Sequence, residues 1–323
     1  IAIAPGYLQK EWTKDNRHYF HYKMDKPMFN FYSMVSARYE VKKEDYKGIS
    51  LEIYYHPSHE YNLDRMMNGM KTSLDYYQAN FSPYQHKQVR IMEFPRYSTF
   101  AQSFANTIPF SEGIGFIQKI NDDEDDVDMP FYVTCHEVAH QWWGHQVAEA
   151  QVKGNAMLSE SMSQYSALMC MKKTFSTEQM QKFLKYEQNT YLRGRSTEDK
   201  KEQPLSLVES QGYIHYNKGS LVMYALQDYI GEKVVNSAFQ NYIQKWNTSN
   251  LATNGRYPTS IDMIAELKAV TSDSLMYLYK DLFETITLFE LKAEEVNYTE
   301  IDSTKLKYPL SYNTKDSLWF ETE

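Results

Sequence analysis

The hydrophobic pattern of this chain changes period once, and that change limits the architectures open to it. Between residues 17 and 56 apolar and polar residues alternate, as in Phe29-Asn30-Phe31-Tyr32 and Ile49-Ser50-Leu51-Glu52-Ile53-Tyr54-Tyr55. Period-two alternation rich in aromatic and β-branched residues predicts strands. Residues 60–80 predict one helix, with Leu63, Met66, Met67, Met70 and Leu74 on a single stripe. Those methionines read as core packing. Val89–Phe94 predicts a strand stopped by Pro95, and Gly113–Ile117 a further strand. From residue 129 the spacing becomes helical, over 129–148, 157–173, 177–192, 217–230, 232–246, 259–269 and 272–283. After residue 284 alternation returns, as in Thr285-Ile286-Thr287-Leu288-Phe289-Glu290-Leu291. The order is strands, a helical block and a strand-like tail, without internal repeats or low-complexity stretches, and the fold class is α+β.

A chain of 323 residues predicts two domains, or one large domain with a satellite lobe. That size buries a core without help from a disulfide or a structural metal, so a metal here would serve chemistry. The net charge of −8 argues against a nucleic-acid partner. No run of eighteen apolar residues predicts a membrane span. Cys135 and Cys170 fit two buried thiols or one disulfide. The chain opens on Ile1-Ala2-Ile3-Ala4-Pro5, and we expect it to be a piece of a longer protein. The acidic run Asp122–Asp126 with Asp128 lacks the glycine and terminal glutamate of a calcium loop, and fits a solvated loop near a helix N-terminus.

The chemistry concentrates at His136-Glu137-Val138-Ala139-His140. Residues four apart share one helix face, so His136 and His140 can offer two imidazoles to one ion. Zinc takes such nitrogen ligands, and three protein ligands with one open position is its usual catalytic arrangement. Glu137, next to the first ligand, can take a proton from a water activated there. By chance about 0.02 such matches are expected in a chain of this length and composition. Otherwise the pair would be ordinary core histidines. Downstream, Glu160 falls on a helical stripe with Leu158, Met162 and Tyr165. A carboxylate so placed needs a partner, because an unpaired buried charge is costly. Cys135 points to another helix face than His136, which speaks against a Cys-His protease.

With these motifs the chain resembles the catalytic domain of the aminopeptidase N family, the gluzincin metallopeptidases. His140 is followed by Gln141-Trp142-Trp143-Gly144, close to that family's continuation. The family places a glutamate ligand on a second helix inside Asn-Glu-Gly, eighteen residues beyond the second histidine. Here Ser159-Glu160-Ser161 stands there after nineteen residues, which suggests one extra residue in the loop near 149–155. Tyr216-Asn217-Lys218-Gly219 matches the family's Tyr-x-Lys-Gly. The resemblance implies that Tyr216 donates a hydrogen bond to the oxyanion, and that Lys218 and Gly219 are structural. It aligns Glu112 with the glutamate that grips the substrate's free amino group, although the neighbouring Met and Asn are missing. The backbone from Gly113 to Phe116 would offer an edge strand to an extended peptide.

The resemblance implies a thermolysin-like, two-lobed catalytic domain, a strand-bearing N-terminal lobe followed by a mainly helical C-terminal lobe, with truncated β segments at the ends. In residue numbers, 1–45 would end a preceding β-rich domain. Residues 46–284 would form the catalytic domain (46–125 mixed, 126–284 helical), and 285–323 would begin a following β-domain. The expected activity is hydrolysis of peptide bonds with one Zn2+ held by His136, His140 and Glu160, with Glu137 as general base and Tyr216 as oxyanion donor. Glu112 and Gly113 would bind the substrate, a peptide or protein. Two alternatives stand: an endopeptidase or processing enzyme on the same zinc site, and a weakly catalytic peptide-binding module of a larger membrane protein. The resemblance leans towards members fused to transporter-like membrane segments, with the peptidase part outside the cytoplasm.

Overall fold

The computed structural model describes residues 1–122 and 126–288, and the backbone of 299–302 and 305–307. Residues 1–285 form one compact unit and 286–323 a second. In the second unit Thr299–Asp302 pairs antiparallel with Lys305–Lys307. The strand expected from residue 285 is absent over 285–288, and its remainder lies outside the described residues.

The first unit is built on a four-stranded sheet of β5 (Glu40–Tyr46), β6 (Ile49–Tyr55), β7 (Gln88–Phe94) and β8 (Thr107–Ser111), in that order. It is preceded by β1 (Ala2–Ile3), β2 (Tyr7–Lys14), β3 (Arg17–Lys23) and β4 (Val35–Ser36), which form two small antiparallel pairs, β1 with β4 and β2 with β3. Lys47 and Gly48 both carry positive φ, the conformation of a tight two-residue hairpin turn, and set Tyr46 opposite Ile49. β5 therefore belongs to this sheet. β6, β7 and β8 run parallel, which requires crossovers. The first crossover is α1 (Leu63–Asn80), whose Met66, Met67, Met70 and Leu74 are buried, as their spacing predicted.

The helical part comprises α2 (Met129–Ala139), α3 (Met162–Thr174), α4 (Thr177–Thr197), α5 (Gly219–Ile230), α6 (Glu232–Trp246), α7 (Leu251–Asn254), α8 (Ser260–Ala269) and α9 (Tyr277–Tyr279). Asp128 caps α2 by accepting from the Phe131 N–H at 3.0 Å, which gives the end of the acidic run its role. α2 stops at Ala139, not at 148. Adjacent Trp142 and Trp143 are both buried, and the coiling chain lets each indole reach its own acceptor, Ser82 O at 3.0 Å and Ser166 Oγ at 2.9 Å. Burying each indole stabilises by roughly 4–6 kcal/mol on area alone. Gly144, at φ +114°, then turns the chain away. Cys135 and Cys170 are buried free thiols. No described helix is long and apolar enough to cross a membrane.

Gly113–Ile117 is not a strand. The strand is Thr107–Ser111 just before it, and the following residues turn, with Ile114 N–H donating to Ser111 O and Ile117 N–H to Glu112 O. Gly115 permits the turn to pass over Phe110, whose ring a Cβ would meet at 2.6 Å.

Two π-helical turns, Met157–Ser161 and Tyr213–Lys218, lead into α3 and α5. They meet where Ser161 Oγ donates to His215 O at 2.7 Å and where a Cβ on Gly219 would lie 2.2 Å from Ser161 Oγ. We predict that Gly219→Ala destabilises the protein by about 1–3 kcal/mol through overpacking. Adding Ser161→Gly should recover part of that loss, as read from denaturant midpoints of the single and double variants.

Candidate metal centre

α2 carries both histidines of the motif on one face, one turn apart. Their Nε2 atoms lie 3.0 Å from each other. The π turn before α3 brings Glu160 Oε2 to 3.3 Å from His136 Nε2 and 3.4 Å from His140 Nε2. Three donors on two elements thus face one point. A π turn takes up one residue more than an α turn. Glu160 lies inside this wider turn.

The donors are prepared for an ion. His140 Nδ1 donates to the Trp143 carbonyl at 3.0 Å, with Ser163 Oγ at 3.1 Å, which leaves Nε2 as the lone-pair nitrogen. Glu160 Oε2 is buried without a hydrogen-bond partner among the described residues. Burial alone would push the His140 pKa down, but the facing Glu160 carboxylate reverses this and raises it to about 9. Burial likewise opposes ionisation of Glu160, yet the two imidazoles hold its pKa well below the usual range. The pocket thus draws positive charge to its centre. Two imidazoles, one carboxylate and an orphaned oxygen fit a divalent metal of the zinc type.

Glu137 is 5% exposed, and its Oε2 has no hydrogen-bond partner among the described residues. Burial raises its pKa, with the neighbouring imidazoles opposing. Tyr216, in the second π turn, has its ring centroid 5.9 Å from that of His136. It is 37% exposed, and desolvation of the hydroxyl followed by the Glu160 and Glu137 carboxylates raises its pKa. The phenol stays protonated at neutral pH. A cavity of about 780 Å3 opens on His140 and Glu160 and is also lined by Gln102, Ser103, His145 and Glu149. His145 Nε2 lies 3.1 Å from Ser103 O, and burial lowers the pKa of this histidine to about 4.

Glu112 sits elsewhere, in a separate cluster with His59 and Glu93. Gly113 lies in the turn after β8, so no edge strand at 113–116 is available to a peptide. The outer edge of β8 is itself covered, because Gln102 N–H donates to Pro109 O and Ser111 N–H to Phe100 O, both at 3.0 Å. Lys218 pairs with Glu202 at 2.9 Å, which Arg195 also meets at 2.7 Å, and this buried network anchors the Tyr216 turn. Sequence reasoning missed Ser163 and the Trp143 carbonyl. Ser163 could have been found, since it stands three residues after Glu160 and so shares its helix face.

Residues 61–272 match the model of the peptidase family M1 domain. Over 188 residues the chain is 26% identical to probable aminopeptidase 1 of Sulfurisphaera tokodaii, covering 55% of this chain and 23% of that protein. Over 210 residues it is 21% identical to human endoplasmic reticulum aminopeptidase 2, covering 63% and 22%. The chain thus spans under a quarter of the length of these two curated relatives. The fold is similar to that of the M1 zinc metallopeptidase from Deinococcus radiodurans, with a TM-score of 0.67 at 15% identity over 90% of this chain and 62% of that one.

We predict that the chain, stripped with a chelator and reloaded, takes up one divalent ion at the three donors. Uptake should fall at least about a hundredfold in Glu160→Ala or His140→Ala, as measured by metal analysis after dialysis. Loading at one hundred times Kd should stabilise the wild type by about 2.7 kcal/mol and neither variant.

Proposed function

The chain belongs to peptidase family M1, and from that premise we propose that it hydrolyses peptide bonds with one zinc ion, removing residues from free amino termini. The observation that carries this reading is the convergence of His136 Nε2, His140 Nε2 and Glu160 Oε2 within 3.4 Å of one another. These three residues would hold the ion, which when bound supplies Lewis acidity to the scissile carbonyl and to an attacking water. In this reading the catalytic body runs from β5 to residue 284. Its substrates are peptides or proteins.

Glu137 is the general base. Its carboxylate follows a ligand on the same helix and has an oxygen unclaimed by any described group, so it can accept the proton of the attacking water. The same carboxyl then hands that proton to the departing amine. Tyr216 is the oxyanion donor. Its phenol remains protonated and is held by the π turn that Ser161 and Gly219 fix in place. A donor aimed at charge that develops only during reaction acts mainly on the transition state.

We expect Glu137→Gln to lower kcat by about 10²–10⁴, and Tyr216→Phe by about 10²–10³. Both should retain the metal, so steady-state kinetics on unblocked peptides is read beside metal content. Full activity in Glu137→Gln would overturn the mechanism. Equal cleavage of N-acetylated and free peptides would overturn the exopeptidase assignment.

A further inference from the structure

The two histidines of the metal centre are not held alike. His140 Nδ1 has the Trp143 carbonyl and Ser163 Oγ as partners. His136 Nδ1 is buried without a hydrogen-bond partner among the described residues. A metal-bound imidazole ordinarily has its far nitrogen against an oxygen, often a carboxylate, that balances its charge. α4 brings a carboxylate to this side of α2. Its buried stripe is Met180, Phe183, Glu187 and Tyr191. Phe183 packs on Tyr132 of α2, with ring centroids 4.3 Å apart. Glu187 lies one turn beyond Phe183, and His136 one turn beyond Tyr132.

Glu187 is 1% exposed. Its Oε2 accepts from Asn217 Nδ2 at 3.1 Å and has Ser220 Oγ at 2.9 Å. Asn217 belongs to the turn of Tyr216, and Ser220 to the start of α5 directly after it. Burial raises the Glu187 pKa, the two neutral partners oppose that rise, and the charged group that acts with them is His136. An amide would accept from Asn217 and Ser220 as well as a carboxylate does, so the hydrogen bonds alone do not account for an acid. A buried carboxylate held only by neutral donors costs stability. That cost is offset when positive charge arrives nearby, and a divalent ion on His136 Nε2 brings it.

We propose that Glu187 is a positioning residue of the metal centre, which supplies a fixed negative charge behind His136 and, through Asn217 and Ser220, fastens the Tyr216 turn to α4. The charge acts through His136 on the bound ion, and the hydrogen bonds act on where the phenol stands. The acid is thus unfavourable in the empty chain and favourable in the loaded one. This inference rests on the metal site of the peptidase reading and adds to it a residue outside the three donors, Glu137 and Tyr216.

Titration of the intact, metal-stripped chain with zinc chloride against a chelating indicator tests it, read beside the denaturant midpoints of the same empty proteins. Glu187→Gln keeps an acceptor for Asn217 and Ser220 but loses the charge. It should bind zinc at least about tenfold more weakly than the wild type. Its empty form should unfold at the same or a higher denaturant concentration than the empty wild type. Asn217→Ala removes a hydrogen bond and keeps the charge. It should lose far less zinc affinity than Glu187→Gln, while its kcat on unblocked peptides falls by about tenfold through the loosened Tyr216 turn. The proposal is overturned if Glu187→Gln binds zinc as the wild type does. It is also overturned if the empty Glu187→Gln protein is the less stable or fails to fold, because an acid kept only for packing gives that result. Equal weakening of zinc binding in Asn217→Ala would assign the effect to the hydrogen bonds and overturn the role of the charge. An unchanged kcat in that variant would overturn the hold on Tyr216. Zinc binding that depends on Glu187 in a chain that hydrolyses no peptide would sink the peptidase reading and leave this inference standing. Metal-dependent hydrolysis with zinc affinity unchanged in Glu187→Gln would do the reverse.

Discussion

A carboxylate and two imidazoles held within 3.4 Å of one another in the folded chain attract a positive charge, and much of the helical part can be understood as the means of bringing them together. Packing hydrophobic faces alone would not select this arrangement. An unpaired buried carboxylate costs several kcal/mol, and Glu160 and Glu137 both keep a buried oxygen without a hydrogen-bond partner among the described residues. The rise of His140 to about 9 and the fall of Glu160 express the same attraction in the absence of an ion. A divalent cation satisfies that charge balance better than a proton, because it engages all three donors at once.

The supporting structure is local and mechanical. The residues brought to the histidine helix from elsewhere, Glu160 and Tyr216, each sit in a π turn, a conformation that widens the backbone and is frequent at functional sites. The two turns are locked to each other. Ser161 donates to the carbonyl before Tyr216, and Gly219 leaves the only space that Ser161 needs on that side. This explains physically why a lysine and a glycine follow the tyrosine. Lys218 pairs with the buried Glu202, and Gly219 has no side chain to hold the turns apart. The phenol and the third donor are therefore positioned by one contact, and disturbing it moves both.

The helical motif was legible because two histidines four residues apart say where both side chains point before any tertiary contact is known. The stripe of α1 was legible for the same reason. Glu160 could be chosen from its helical register, but its π turn could not, because periodicity does not reveal where a helix takes up one extra residue. The end of α2 was overestimated, since Trp142 and Trp143 continue the apolar pattern beyond Ala139, where the helix stops. The strand before Glu112 was displaced by a few residues. Gly113 and Gly115 fit an alternating pattern yet serve a turn, because a side chain at Gly115 would collide with Phe110.

What stayed outside sequence reasoning altogether was the partner of Glu112. Glu93 lies nineteen residues upstream on a neighbouring parallel strand, and His59 lies in the connection between β6 and α1. No short-range spacing links three such positions, and only the register of β7 against β8, which sets Phe94 opposite Ser111, brings the two acids side by side. The strap between those strands covers the outer edge of β8 and at the same time lines the cavity the acids face. An edge that a peptide could have joined is thus exchanged for a walled compartment.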